Sequence, residues 1–267
     1  MSTPTRVSIT IENQIAQVRL NRADKLNALD MEMFRAIVAA QKKVAKDRSV
    51  RAVILAAEGN DFCSGLDIKS LMANRSGSVA LLAKWWPGQA NLAQKVSVGW
   101  RRLQIPVIAA INGRCWGGGL QIALGADFRI VHPDASLSIM EGKWGLIPDM
   151  GGTLALKDLM HRDQAMLLAM TAEEFTAARG LELGLVTSIS SSPMQHALAL
   201  AQQLSERSPD AVAAVKRLYR KSWHSGPGPA LARETGYQWR IILGANQRIA
   251  VRRQRGDDVE FRQAGKW

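Results

Sequence analysis

Cysteine is nearly absent: Cys63 and Cys115 are the only two in 267 residues. That excludes a disulfide framework and supplies no metal-ligand spacing. A reducing cytoplasm is therefore the expected compartment. Long apolar runs are missing too. Stretches such as Val107-Ile108-Ala109-Ala110-Ile111 fall far short of the roughly 20 residues a membrane span requires. The opening residues, Met1 to Arg6, have no apolar signal region. Histidines are few, and His132, His161, His196 and His224 stand at no spacing that pairs them. Acidic residues are outnumbered, 23 against 35 Lys and Arg, for a net charge of +12. Such an excess attracts polyanions, which makes RNA binding one class of function to weigh. Yet the C-terminal cluster of Lys216, Arg217, Arg220, Lys221, Arg248, Arg252, Arg253 and Arg255 lacks interleaved aromatics of an RNA-binding type. It reads as a solvated helical face or as help for an anionic nucleotide handle. Nucleic acid is not the expected partner.

What is present is ordinary globular material, 47% hydrophobic and 22% charged. Residues 6–20 alternate apolar and polar around Asn13-Gln14, the pattern of a hairpin. Asp30 is an N-cap for a helix with Met31, Phe34, Val38 and Ala45 on one face. Arg51 to Ala57 is a short apolar strand of the kind buried on both faces. Val107–Ile111, Phe128–Val131 and Leu137–Met140 repeat it, with helical stretches between some of them. That alternation predicts an α/β fold with largely parallel pairing. After about residue 155 strands nearly stop. Residues 154–168, 171–180, 194–206, 209–222 and 229–254 read as helices, a tail suited to packing or oligomerisation. No sequence repeat of solenoid length is found.

Three segments carry chemistry. Gly117-Gly118-Gly119 follows a strand and opens a helix. Glycine there lets a ligand approach the backbone, and the helix start offers free N–H groups to a negative oxygen. The alternative is a tight turn without a ligand. Ser64-Gly65-Leu66-Asp67 also follows a buried strand, and its turn can present the Leu66 N–H to the same oxygen. Glu141 and Asp149 lie eight positions apart with Gly142, Gly145 and Pro148 between them. They can flank a fold-back, one ionised and the other protonated, as a proton shuttle needs. The alternatives are a surface carboxylate for Glu141 and a helix N-cap for Asp149. Gln121, four positions into the glycine-rich helix, has no proton to exchange. Ser64 and Cys63 have no histidine nearby in sequence to activate them as nucleophiles.

These segments, with Leu20-Asn21-Arg22, Leu26-Asn27-Ala28-Leu29, Pro106–Asp127 and Gly180-Leu181…Gly184-Leu185-Val186, resemble the enoyl-CoA hydratase/isomerase superfamily, the crotonases. The resemblance implies a spiral of ββα turns over residues 1–200 that holds the acyl-CoA site. It also implies a C-terminal helical trimerisation region over 201–267. It implies a homotrimer or dimer of trimers, an acyl-CoA substrate, and no cofactor or metal beyond the CoA carried by the substrate. By position, the thioester oxygen falls to the N–H groups of Leu66 and Gly118. CoA falls to Lys25, Leu26, Leu66, Asp67, Ile68 and Lys69, with neighbouring-subunit contacts from Phe261 or Lys266. Family hydratases place glutamates at the positions of Gln121 and Glu141, so Gln121 is a departure that should impair hydration. Dienoyl-CoA isomerases match Glu141 and Asp149, have a longer loop where residues 70–105 stand, and carry an aspartate in place of Gln121. The resemblance therefore points to a dienoyl-CoA isomerase-like enzyme of acyl-CoA or fatty acid metabolism. Glu141 and Asp149 would move the proton while Gln121 positions substrate or tunes its neighbours. A 2-enoyl-CoA hydratase is the alternative, and a non-catalytic acyl-CoA-binding homologue a further one. Trp85, Trp86, Trp100, Trp116 and Trp144 are candidates for an acyl pocket or for core packing.

Overall fold

The computed structural model describes residues 5–267 except 74 and 266. Lys266 and the opening residues Met1 to Pro4 thus lie outside the described residues. Among the described residues, nine strands form two sheets. They are β1 (Val7–Glu12), β2 (Ile15–Leu20), β3 (Ala52–Ala57), β4 (Val107–Ile111), β5 (Arg114–Trp116), β6 (Phe128–Val131), β7 (Ser136–Ser138), β8 (Glu174–Thr176) and β9 (Ser188–Ile189). The larger sheet runs β1-β2-β3-β4-β6-β9 and the smaller β5-β7-β8. Only the β1–β2 hairpin and the β7–β8 pair are antiparallel. The hairpin turns through Asn13 and Gln14, both left-handed (φ 49° and 65°), which suits the twist of paired strands.

The helices are α1 (Met31–Lys46), α2 (Ile68–Ala73), α3 (Arg75–Leu82), α4 (Leu92–Arg102), α5 (Gly118–Ala123), α6 (Gly152–Leu159), α7 (Arg162–Thr171), α8 (Ala177–Glu182), α9 (Pro193–Ser205), α10 (Pro209–Ser222), α11 (Pro227–Ile242) and α12 (Ala245–Gln254). Side chains alternate across a strand, so β3 feeds two cores. Val53 and Leu55 pack with α1 and α4 on one face. Ile54 and Ala56 pack on the other, where Ala197 and Ala201 let α9 approach closely. The α/β class and the parallel pairing are as expected.

Each turn of the chain adds one strand to the large sheet and a short bridge or strand beyond it. Leu29 bridges Leu66, Cys63 bridges Cys115, and β5 pairs with β7, all in parallel. This ladder of successive turns is the ββα spiral.

Several boundaries differ from expectation. Asp30 does cap α1, its carboxylate accepting the Met33 N–H at 2.7 Å. The buried stripe is Met33, Phe34, Ile37, Ala40, Gln41 and Val44, however, and Ala45 is exposed. The helix is rotated because Val44 and Ile37 outcompete their smaller or less apolar neighbours for the core. The helix expected over 154–168 breaks at Met160, which is extended (φ −148°) and ends α6. The stretch 171–180 contains β8, held in register by β7. The long helix over 229–254 stops at Leu243-Gly244, where Gly244 becomes the N-cap of α12. The strand expected over Leu137–Met140 ends at Ser138 and gives way to a 3-10 turn over Met140–Trp144.

Trp100 is fully buried in the core, with its indole N–H unpaired among the described residues. An unpaired buried donor costs about 1–3 kcal/mol. Burying about 150–250 Å² of indole at roughly 25 cal/mol per Å² contributes more than that, so packing prevails. Among the described residues, no helix is long and apolar enough to cross a membrane.

Candidate active site

The two proposed donor amides sit on adjacent turns of the spiral. In the parallel bridge between Leu29 and Leu66, the Leu29 N–H donates to Gly65 O (2.8 Å) and the Asp67 N–H donates to Leu29 O (3.0 Å). Those bonds use the backbone groups on either side of Leu66, so its own N–H points away from Leu29. Gly65 has φ +95°, and its N–H is taken by Cys63 Sγ at 3.4 Å. One turn further, the Trp116 N–H donates to Cys63 O and the Gly117 N–H to Ser138 O. Gly118 is the first residue of α5, where helix geometry leaves N–H groups unpaired. Among the described residues, neither the Leu66 nor the Gly118 N–H has a hydrogen-bond partner. The segments touch: a methyl group on Gly65 would lie 3.1 Å from Trp116 O and 3.7 Å from Gly118 N.

Each amide lies three residues after a buried cysteine, Leu66 after Cys63 and Gly118 after Cys115. The Cys63–Cys115 bridge therefore sets their separation. Burial pushes the Cys63 thiol up to about 12 and the Cys115 thiol well above its ordinary value. Both are inert packing residues under these conditions.

Glu141 and Asp149 line one cavity of about 240 Å³, with Phe34, Leu66, Leu81, Leu82, Ala93, Leu146, Ile147 and Met150. Glu141 lies in the first turn of the 3-10 segment after β7 and is buried, so it is not a surface carboxylate. Asp149 caps no helix; Gly151 occupies the N-cap of α6. Burial raises the pKa of both carboxyls, and the nearby Asp149 charge adds to the effect on Glu141. Backbone hydrogen bonding opposes the rise in both, and the Gln121 amide opposes it at Glu141.

The Gln121 side chain is itself buried. It donates to Glu141 Oε1 at 2.5 Å, and its carbonyl accepts the N–H groups of Met150 (2.9 Å) and Gly152 (3.0 Å). Among the described residues, Glu141 Oε2 is buried without a partner. Neither Gln121's anchor on the 150–152 turn nor the unpaired oxygen is visible in the sequence, because nothing local connects position 121 to position 150.

These shifts carry a stability consequence. Both carboxyls bind protons more tightly in the folded chain than at their ordinary values of 4.5 and 3.8. As pH rises past those values the unfolded chain releases its protons first, so stability falls until the raised values are passed. Glu141→Gln removes one such group. We expect it to melt at a higher temperature than the parent at pH 7, with the gap closing below about pH 4.5. Thermal melts at the two pH values check this; an identical gap at both would contradict it.

The remaining predicted positions gather around the Leu66 turn. The Ser64 N–H donates to Leu26 O (3.0 Å), which sets Lys25 and Leu26 beside the Leu66 turn. Leu26 and Asn27 are left-handed (φ 52° and 55°). Asn27 holds that turn: its Oδ1 accepts the Arg22 N–H and its amide donates to Glu58 O and Asp61 O. Asp67 is committed to the protein, accepting from the Ser70 N–H (3.0 Å) and from Arg22 (2.8 Å). Burial works against its ionisation, but those partners hold its pKa below the ordinary value. Ile68 is half-buried and Lys69 exposed at the start of α2. None of the five candidate tryptophans lines the cavity. Trp116 donates to Ser136 Oγ, while Trp85, Trp86 and Trp144 are exposed. Of the histidines, His224 pairs with Asp158, which Arg101 also holds, outside this cavity.

A family model described as enoyl-CoA hydratase/isomerase matches residues 10–236. Enoyl-CoA hydratase EchA19 of Mycobacterium tuberculosis is 33% identical over 207 residues, covering 77% of this chain and 76% of its own. Carnitinyl-CoA dehydratase of Salmonella typhi is 34% identical over 216 residues, covering 79% of each. The crystal structure of an enoyl-CoA hydratase from Polaromonas sp. JS666 superposes with a TM-score of 0.84 at 29% identity, over 96% of this chain and 99% of that one.

Proposed function

The chain belongs to the enoyl-CoA hydratase/isomerase family, and from that premise we propose that it moves double bonds within an unsaturated acyl-CoA, as a Δ3,5-Δ2,4-dienoyl-CoA isomerase does. One observation carries the reading. Two carboxyls with raised pKa values, Glu141 and Asp149, share one apolar cavity with Leu66, while the third polar position is a neutral amide. The thioester oxygen sits between the Leu66 and Gly118 N–H groups, which stabilise the enolate as charge develops. One carboxylate takes the proton from the carbon beside the thioester. The other acid returns a proton at the far end of the conjugated system, so the product is an isomer of the substrate. A cavity of about 240 Å³ admits the reacting acyl carbons and leaves CoA outside, along Lys25, Leu26 and the Leu66–Lys69 turn. The acidity comes from the thioester itself. We also propose a trimer or dimer of trimers, supported by exposed Val215 and Tyr219 on α10, Trp223 at its C-terminal end, and Leu231, Trp239 and Ile242 on α11. A monomeric mass in sedimentation would set that assembly aside.

Hydration of 2-enoyl-CoA is the second reading, favoured by the activities in the relatives' names. Purified protein is offered 3,5-dienoyl-CoA and 2-enoyl-CoA in turn. Gain of conjugated-diene absorbance supports isomerisation; loss of enone absorbance without any diene reverses the order.

Asp149→Asn bears on the same question. It should slow diene formation by about 10²–10⁴-fold. Deuterium exchange at the carbon beside the thioester then assigns the roles: it survives in Asp149→Asn if Glu141 removes that proton, and it stops if Asp149 does. Undiminished isomerisation would remove Asp149 from the shuttle.

A further inference from the structure

We propose that Gln121 is a positioning residue that divides the two oxygens of Glu141, committing Oε1 to the protein and reserving Oε2 for the proton in transit; this rests on the role of Glu141 given above. The amide has one orientation available. Its carbonyl oxygen accepts two backbone N–H groups, from Met150 and Gly152. A flipped amide would set its own N–H donors against those two. The Gln121 nitrogen must therefore face Glu141, where it donates to Oε1 at 2.5 Å. Rotation of the carboxyl is opposed by that bond. On the other flank, Gly117 (φ +49°) offers no side chain; a methyl there would come to 3.6 Å from Oε1. Oε2 is left buried and unpaired, with the cavity's apolar side chains around the carboxyl.

Donation to Oε1 favours the ionised carboxylate, which opposes burial and keeps Glu141 competent as a base. The same amide fixes Met150, the residue after Asp149, so a single neutral side chain holds both carboxyls in relation to each other. It does so without touching substrate and without a proton of its own to give.

Gln121→Glu separates the two functions. It can still accept from both backbone N–H groups, but it meets Glu141 with a second carboxyl in place of a donor. The pair must then share a proton. Gln121→Met removes donor and acceptor together. The test is a pH titration of full-length protein carrying ¹³C-carboxyl glutamate, with the Glu141 resonance assigned by its loss in Glu141→Gln. Solvent deuterium exchange into a saturated acyl-CoA is followed alongside. We expect whichever variant folds to raise the apparent pKa of Glu141, and the acidic limb of the exchange profile with it, by about one pH unit or more. We also expect kcat to fall while KM holds. A Glu141 titration unchanged in a folded variant would overturn the proposal. The titration needs no turnover. A shifted titration in a protein that exchanges nothing would leave the clamp standing and count against the functional reading instead.

Discussion

Glu141→Gln should lower kcat by about 10²–10⁴-fold, the usual contribution of a positioned acid or base, and leave acyl-CoA affinity nearly unchanged. The replacement keeps shape and neutral polarity. Its carbonyl can still accept from Gln121 at the Oε1 position. What disappears is the acceptor at Oε2, a buried carboxyl oxygen that no group among the described residues engages. Binding rests on other atoms, the free N–H groups of Leu66 and Gly118 and the exposed turn at Lys25 and Leu26. The loss should therefore fall on the chemical step, and calorimetric titration with a non-reacting acyl-CoA should look like the parent. Steady-state rates on 3,5-dienoyl-CoA supply the kcat. A variant retaining more than a tenth of the parent rate would mean that Glu141 transfers no proton in the slow step.

Gly119→Ala should damage both stability and rate. Gly119 has ordinary helical backbone, so the argument is purely one of space. An added Cβ would lie 2.5 Å from Cys63 O and 2.7 Å from Cys63 Cβ, whereas comfortable contact is about 3.5–4.0 Å. Neither obstacle is the end of a flexible side chain. Cys63 O is already bonded to the Trp116 N–H at 3.0 Å, and α5 must move away from the Cys63 segment by about 1 Å to restore contact. Overpacking of this kind costs about 1–3 kcal/mol. The same displacement carries Gly118 away from Leu66. A misplacement of about 1 Å is enough to lose around 10²-fold in rate. Thermal melts and kcat/KM measured on the same preparation check the two parts. A variant with parental melting temperature and parental rate would show that the two segments have room to spare.

Much of this was legible from local chemistry. The hairpin follows from Asn13-Gln14 between alternating strands, and α1 starts where Asp30 can cap it. The doubly buried β3 and β4 show as unbroken apolar runs. Gly65 and Gly119 mark where backbone approaches backbone. The short strands β5 and β8 were illegible for the opposite reason: Arg114-Cys115-Trp116 and Glu174-Phe175-Thr176 have no pattern of their own and exist because successive turns stack, while β7 was read in part, through Leu137 and Ser138. The break at Met160 carries no proline or glycine. Glu141 and Asp149 could be picked out as a pair, but the path joining them runs through Gln121 and the backbone of Met150 and Gly152, which only the folded chain brings together. Of the two readings of the tryptophans, core packing holds for Trp100, while ring size says nothing about which surface the others cover.

The bridge between Cys63 and Cys115 has one more consequence. The two amides belong to consecutive coils, so the gap between them is the pitch of the coil, close to the roughly 4.8 Å spacing of neighbouring strands. It is a dimension of the main chain and owes little to which side chains decorate it. Any polypeptide wound this way inherits the same aperture for a carbonyl. Divergence in outcome must then be written in the polar groups beside that gap, and here those are two acids in one cavity and an amide bonded to one of them.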